Sequence, residues 1–365
     1  MSILPASVTV SSIALTDLLY LGTALFLLAA LATALLIRRS LDLKMHNSIV
    51  KQDIKTVLDP WISKALLEEE VGSVDELITE EFRNYLGQKR GRQHIISKLV
   101  NSKKHLSGAA AQNIVRLYET LELKKDSLEK FNSDRWQQKA LGIYELYMMH
   151  QVDMQNDILP HTNSSNEYVK TEAQTAIIGF MGFDGLRFLD NLTQPLTEWQ
   201  QIKILEQLKT FEAQEMEGLQ GWLRSENEYV TLFALKLADI YQQAHAYNEV
   251  ALCLNSTNEK IRLQAIKALT RMPKEDTASI LVAHFAKENK LNQKTILRCL
   301  ATVSLDDELV FLQAQLRNND DGIKLEAARA LLGTGKGEEI LKEMISRQPY
   351  PFEQIYLHVK SKLLA

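Results

Sequence analysis

Two glycine-rich stretches of the sequence have residue types that can cradle a phosphate. The stretch LLGTGKGEE surrounds Lys336, and the stretch GFMGFDG begins at Gly179. A phosphate loop needs the spacing G-x-x-x-x-G-K-[S/T] after a strand, because its backbone N–H groups must converge on one phosphate group. Neither stretch has that spacing or follows a predicted strand. Each is therefore interpreted as a turn between two helices.

Acid, base and thiol side chains are scattered along the chain. His245 and Glu249 are four residues apart on a predicted helix, which supplies two ligands where a metal site needs three or four. Cys253 and Cys299 share no CxxC or Cys/His spacing, so they are interpreted as reduced, partly buried thiols. The sequence therefore predicts no catalytic residue, no metal ligand, no cofactor and no enzymatic activity.

One charged segment has the composition of a binding surface. Residues 82–118 hold eight basic side chains and no acidic one, directly after the acidic stretch 64–81. A basic face can contact anionic lipid head groups or an acidic partner; alternatively, the acidic and basic helices pair with each other. Nucleic acid is not expected as a partner, because the cluster QKRGRQH has no aromatic platform around it. The candidate contacts for lipid or an acidic partner are Arg83, Lys89, Arg90, Arg92, Lys98, Lys103 and Lys104.

An uncharged apolar run upstream would fix where these residues lie. LLYLGTALFLLAALATALLI occupies residues 18–37, and twenty helical residues span about 30 Å, the thickness of a bilayer core. No Lys or Arg precedes the run, unlike the start of a cleaved signal peptide. Arg38, Arg39 and Lys44 follow it, and basic flanks stay in the cytoplasm. The sequence predicts a single-pass protein with its N-terminus outside and the remainder in the cytoplasm.

The bulk composition favours helices. The chain has 365 residues, of which 45% are hydrophobic and 24% charged, and its net charge is −4. A chain with that net charge is not, as a whole, a binder of polyanions. Leu, Ala, Glu, Lys and Gln are abundant, and these residues are good helix formers. Alternating β-branched runs and hairpin turns are nearly absent, so an all-α protein is predicted.

The C-terminal part of the sequence repeats itself. IRLQAIKALT begins at Ile261, and the similar stretch IKLEAARALL begins at Ile323. Further rows align with these two at a period of about 31 residues, and the position four residues after the aligned column is apolar in every row. A second amphipathic stretch follows each row, which predicts stacked helical hairpins that share one core. The aligned column is Ala140, Ala173, Ile204, Ala234, Ala265, Ile296 and Ala327.

The rows IRLQAIKALTRMPKEDTASILVAHFAKE and IKLEAARALLGTGKGEEILKEMI resemble HEAT repeats of the short, Ala-rich bacterial type. The resemblance covers residues 107–347, and Ile204 departs from the small residue of the pattern. The whole chain resembles membrane-anchored bacterial HEAT-repeat proteins of unassigned function. That resemblance implies binding to another molecule and implies no catalytic residues.

The predicted fold is an all-α solenoid of HEAT-like hairpins preceded by a single transmembrane helix. Residues 13–37 form the anchor, and residues 38–106 form a juxtamembrane helical segment that is first acidic and then basic. Residues 107–347 form the solenoid, and residues 348–365 form a C-terminal capping helix. Trp136 and Trp199 begin their rows and are interpreted as packing between repeats rather than as ligand-stacking residues.

Three functions remain open from the sequence. The favoured one is a protein-binding scaffold at a bacterial inner membrane, with cytoplasmic repeats whose second helices contact a membrane-associated protein. The alternative is an accessory subunit of a membrane enzyme, for example a polysaccharide-synthesising glycosyltransferase. The third is an enzyme resembling HEAT-type lyases or DNA glycosylases, which the anchor and the scattered acids and bases disfavour.

Overall fold

The computed structural model of the protein describes residues 20–40, 80–303 and 308–363. Within these ranges all regular structure is helical, which confirms the predicted all-α class. The chain divides into two compact units, Met1–Asp126 and Ser127–Ala365. The acidic residues 64–79 and the first residues of the predicted anchor, 13–19, lie outside the described residues.

The first unit begins with one long apolar helix, α1, over Tyr20–Ser40. Its 21 residues are long and apolar enough to cross a bilayer, and none of the strongly apolar window is buried by the rest of the protein. Length and composition are compatible with a membrane span and equally with a signal sequence. The helix agrees in position with the predicted anchor, while its place in a membrane stays a prediction.

Residues 80–120 of this unit, which the structure describes without a gap, form three further helices. They are α2 (Glu80–Gly87), α3 (Lys89–Lys103) and α4 (Gly108–Thr120), and each contacts the next. Apolar residues of α3 recur at three- and four-residue steps, which places them on one face of the helix. This face is fully or almost fully buried and comprises Ile95, Ile96, Leu99 and Val100. Arg92 and Lys103 continue this face at three- and four-residue steps and are half-buried, whereas Lys89 and Arg90 are exposed.

The second unit is built from helices that carry the aligned column. Helix α5 (Lys124–Phe131) leads into it across the boundary between the units. The column helices are α6 (Trp136–Met148), α8 (Glu167–Met181), α9 (Glu198–Leu208), α11 (Glu228–Tyr241), α13 (Glu259–Arg271), α15 (Lys290–Val303) and α17 (Asp321–Leu332). Helix α6 packs on α8, α8 on α9, and α11, α13, α15 and α17 pack in succession. Each of these helices is the first arm of a hairpin.

The second arms are less regular than the sequence predicted. The later ones are α-helices, namely α14 (Thr277–Phe285), α16 (Leu309–Gln315) and α18 (Gly337–Arg347). The earlier ones are short or partly 3₁₀, namely α7 (Gln155–Ile158) with flanking 3₁₀ turns, the 3₁₀ helix Gly182–Asn191, α10 (Leu219–Leu223), and α12 (Tyr247–Leu252) with flanking 3₁₀ turns.

The segment Gly182–Asn191 shows why the second arms deviate. Helix α8 ends at Gly182, whose φ is +60°. Glycine suits this position because a residue with a Cβ rarely adopts that conformation. Apolar residues then recur at every third position, as Phe183, Leu186, Leu189 and Leu192, and all four are buried. A 3₁₀ helix has three residues per turn, so this spacing keeps one face toward the core.

The hairpins of the second unit share a hydrophobic core. One cluster of buried residues runs from Ile178 to Val359, and a second cluster joins Phe131 to Ile177. The last helix, α19 (Pro349–Leu363), packs on α17 and α18 and contributes Phe352, Ile355 and Val359 to the first cluster. Stacking provides a core that a single hairpin of this size could not form by itself.

Candidate interaction surfaces

The column residues lie inside the stack of hairpins. Ala140 is 9% exposed, and the other six are at most 1% exposed. Small side chains at Ala173, Ala234, Ala265 and Ala327 let neighbouring first helices approach closely. The column therefore positions the surfaces of the repeats and is not itself available to a partner.

A second column, not recognised in the sequence rows, caps the first helices. Its members lie seven residues before the aligned column and therefore share its period. In α13, Asn258 Oδ1 accepts a hydrogen bond from Lys260 N at 2.9 Å, and in α17, Asp320 Oδ1 accepts one from Ile323 N at 3.1 Å. Asn, Thr and Asp are preferred at helix starts, so this column could have been found from the sequence. The cap column is Asn166, Thr197, Asn227, Asn258, Asn289 and Asp320.

The cap residues also join neighbouring hairpins. Asn258 Nδ2 donates to Glu228 Oε2 at 2.8 Å, and Asn289 Nδ2 donates to Glu259 Oε2 at 2.7 Å. Hydrogen bonds from Lys294 and Lys290 hold the pKa of Asp320 well below its ordinary value. Polar contacts along this edge therefore reinforce the register that the buried column sets.

A groove separates the second arms of the last two hairpins. It has a volume of about 340 Å³ and lies between α16 and α18. Val310 is 78% exposed in this groove, beside Ala314 and Met344. Arg317 and the ion pair of Arg347 with Glu343 supply charge at the same groove. Such a groove, with aliphatic side chains among charged ones, suits the amphipathic side of a polypeptide.

Apart from Arg92, the predicted basic contacts form a half-buried group and an exposed group. They lie in α2, in α3 and at the residue after α3. Lys98 and Lys103 are half-buried, and burial lowers the pKa of Lys103. Contact of the exposed group with lipid or an acidic partner stays a prediction. The exposed candidates are Arg83, Lys89, Arg90 and Lys104.

Arg92 has a structural role that the sequence did not reveal. Its Nε lies 3.0 Å from both carboxylate oxygens of Asp126, whose side chain is only 2% exposed. Its Nη1 also donates to the carbonyl oxygen of Leu86 at 3.2 Å. The guanidinium thus compensates a buried carboxylate and closes the end of α2. Arg92 is therefore engaged within this unit, and its contact with lipid or an acidic partner stays a prediction.

The glycine-rich stretches serve packing. Lys336 lies in the turn between α17 and α18, and a Cβ at Gly337 would fall 1.6 Å from the carbonyl oxygen of Leu331. A Cβ at Gly179 would fall 2.2 Å from the ring of Tyr147. Backbone or ring approaches this close are open only to glycine. The stretch around Lys336 is a turn between two helices, as predicted, whereas residues 179–181 belong to the end of α8 and residues 182–185 to the 3₁₀ helix that follows it.

The remaining reactive side chains also have ordinary surroundings. Cys253 and Cys299 are free and buried, and burial raises the pKa of Cys253 to about 11 and that of Cys299 in the same direction. Glu249 accepts a hydrogen bond from Arg224 at 2.7 Å. Across residues 20–40, 80–303 and 308–363, no group of three His, Cys, Asp or Glu side chains is placed to hold a metal ion.

Comparison with known proteins identifies the repeats. The family model described as HEAT repeats matches residues 248–332, which confirms the resemblance for this part of the chain. No curated protein matches the chain. Among solved structures, human deoxyhypusine hydroxylase in complex with glycerol is 17% identical, with 67% of this chain and 96% of that chain covered and a TM-score of 0.30. An engineered protein is 13% identical, with 81% and 87% covered and a TM-score of 0.36.

Proposed function

We propose that this protein with HEAT repeats is a membrane-tethered scaffold that binds a protein partner. The observation that carries the proposal is one chain that combines α1, an apolar helix left exposed, with tandem hairpins around a shared core. A stack of hairpins presents a long surface on which many modest contacts can add up. The proposed location is the cytoplasmic side of a bacterial inner membrane.

The second arms of the hairpins supply the proposed partner surface. The groove between α16 and α18 offers about 340 Å³, with Val310 exposed beside Arg317. An exposed aliphatic side chain in a groove loses unfavourable contact with water when a partner covers it. Charged groups at the same groove then select the partner and its orientation.

Tethering explains why a scaffold would carry an apolar helix. A partner in the same bilayer meets the repeats at a raised effective concentration, on the order of millimolar for a short flexible connection. Modest affinity of the repeats would then suffice for a stable complex. The proposed partner is therefore itself membrane-associated.

The test compares three forms of the tagged protein in native membranes: the full chain, the chain without residues 1–37, and a chain whose residues 18–37 are replaced by an unrelated apolar span. Partners captured after cross-linking are identified by mass spectrometry. The scaffold predicts the same partner with the native and the unrelated span, and loss of that partner with Val310→Asp. Leu357→Asp, at a 58% exposed position on α19, is the matched control.

One outcome would contradict the scaffold itself, and another would contradict only the proposed partner surface. A partner that is retained only with the native span would favour the alternative, an accessory subunit of a membrane enzyme. If the partner is captured equally with and without Val310→Asp, the groove between α16 and α18 is not the partner surface.

A further inference from the structure

A three-residue motif recurs at the start of three successive first helices. Asn166-Glu167-Tyr168 begins α8, Thr197-Glu198-Trp199 begins α9, and Asn227-Glu228-Tyr229 begins α11. The first residue of each motif is the helix cap. The third residue is an aromatic side chain that is 64%, 61% and 50% exposed, respectively.

Helix formation explains the first two positions of the motif but not the third. The cap satisfies free N–H groups, and a carboxylate in the first turn is favoured by the helix dipole. Neither effect calls for a large ring in water at the next position. The later hairpins confirm the point, because Lys260 and Leu291 occupy it in α13 and α15.

A fourth ring extends the row by one hairpin. Trp136, at the start of α6, is 40% exposed and stacks on Tyr168 with ring centroids 4.8 Å apart and planes at 18°. We call Trp136, Tyr168, Trp199 and Tyr229 the aromatic row. Trp136 thus packs between repeats as expected, whereas Trp199 is 61% exposed.

Carboxylates directly precede three of the four rings of the aromatic row, whereas Arg135 precedes Trp136. Glu167, Glu198 and Glu228 each precede a ring directly and are exposed. Among nearby cations, Arg224 is engaged by Glu249 at 2.7 Å. Lys203 Nζ lies 5.1 Å from the centroid of the Trp199 ring, which shows that a ring of this row accommodates an ammonium group.

A groove lies beside Glu228, the residue that precedes the last ring of the row. It has a volume of about 340 Å³, and its lining includes Glu228, Leu252 and Ile261 together with the ion pair of Arg224 and Glu249. Asn258 Nδ2 donates to Glu228 Oε2 at 2.8 Å, which fixes this carboxylate at the groove. An aliphatic wall beside the Glu228 carboxylate suits a side chain with an alkyl stem and a cationic end, as in Lys and Arg.

We propose that the aromatic row and its glutamates form a docking surface for an extended, Arg- or Lys-bearing segment of a protein partner. The cations stack on the rings and pair with Glu167, Glu198 and Glu228. Stacked helices lie about 8–10 Å apart, and an extended chain advances about 3.4 Å per residue. A basic residue at about every third position of the partner therefore meets the rings of α6, α8 and α9, because these helices pack in succession. This surface rests on the proposed scaffold function and names the chemistry of its partner.

The probe is a fluorescein-labelled peptide with four Arg-Ser-Gly units, and its binding to the full chain is measured by fluorescence anisotropy in a nonionic polyoxyethylene detergent. We expect salt-dependent binding, because exposed charges are screened. The same peptide with citrulline in place of arginine should bind at least tenfold more weakly. Citrulline keeps the size and planar shape of the arginine side chain, and it replaces the charged guanidinium by a neutral urea group with a carbonyl oxygen.

The aromatic row is tested with Tyr168→Ala, Trp199→Ala and Tyr229→Ala combined, which should weaken binding of the arginine peptide by about tenfold or more. Leu291→Ala is the matched control, because Leu291 is 58% exposed at the equivalent position of α15. It should leave the affinity within twofold. Thermal unfolding followed by circular dichroism verifies that the triple variant is folded.

The glutamates provide a second, independent variant that leaves the rings in place. Glu167→Gln, Glu198→Gln and Glu228→Gln combined should weaken binding about tenfold and flatten its salt dependence. Glu275→Gln, Glu339→Gln and Glu353→Gln remove the same charge from exposed sites elsewhere and should leave binding within twofold.

Wild-type affinity in both triple variants, or equal affinity for the citrulline peptide, would overturn the docking surface. Binding of cellohexaose in competition with the peptide would also overturn it, by assigning the row to carbohydrate. A cross-linked membrane partner that survives both triple variants would remove this surface and leave the scaffold function standing.

Discussion

At the scale of single residues, the basic segment consists of side chains with different roles. Arg92 compensates Asp126, which is distant in the sequence, whereas Lys89 and Arg90 are exposed on the same helix. Burying a carboxylate without a partner costs several kcal/mol, so the pairing stabilises α3 against the start of α5. Charge counting alone treats these residues as equivalent.

Arg92→Gln should therefore destabilise the first unit by about 2–4 kcal/mol, because it leaves the Asp126 carboxylate buried and unpaired. Hydrogen exchange of α3 amides in the full chain, read by mass spectrometry, checks this. Arg116→Gln, at an exposed position of α4, is the control and should change stability by less than about 0.5 kcal/mol. Equal exchange in the two variants would mean that the ion pair has no structural role.

At the scale of elements, six of the seven first helices, α8 to α17, are specified twice. A capping side chain fixes where it begins, and seven residues later a buried column residue fixes which face packs inward. Because the two columns run in parallel, a shift of one helix by one residue would lose both the cap and the close contact. The second arms have no such pair of constraints, and their lengths vary from hairpin to hairpin.

Ala265→Arg should lower the free energy of unfolding by about 4 kcal/mol or more, because a long cation enters a fully buried position. Thermal and urea unfolding of the full chain, followed by circular dichroism, measure the change. Ala283→Arg on α14 introduces the same side chain at an exposed position and should change stability by less than about 0.5 kcal/mol. Identical melting of the two variants would contradict the assigned register of the column.

At the scale of the whole molecule, the charges that flank α1 predict its orientation. Arg38 and Arg39 lie at one end of the apolar helix, so a reporter fused after Ala365 should be cytoplasmic. Reversing Arg38, Arg39 and Lys44 to Glu should shift part of the reporter to the outside, because basic flanks hold that end in the cytoplasm.

Paired fusions to alkaline phosphatase and to green fluorescent protein measure this orientation. The control reverses Lys209, Lys267 and Lys287 to Glu. These residues are far from α1 in the sequence, so the reporter should stay cytoplasmic. Phosphatase activity of the unaltered fusion would show that the predicted orientation is wrong. Release of the chain from membranes by alkaline carbonate would show instead that α1 is not an anchor.

The all-helical class and the row-by-row repeat were determined by the sequence alone. Both depend on local spacing: apolar residues at three- and four-residue steps define a helix face, and the same pattern returns at a period of about 31 residues. The capping residues recur at the same period. The three-residue spacing from Phe183 to Leu192 could also have predicted a 3₁₀ helix from the sequence. Information of this kind is local, so it needs no coordinates.

Only the tertiary structure decided which side chains are partners and which are exposed. Arg92 and Asp126 meet because two helices pack, and the exposure of Trp199 depends on what the neighbouring hairpins leave uncovered. A linear pattern says that Trp199 begins a row but not whether another hairpin covers it. Burial and pairing depend on the positions of residues distant in sequence, and those positions arise only when the hairpins stack.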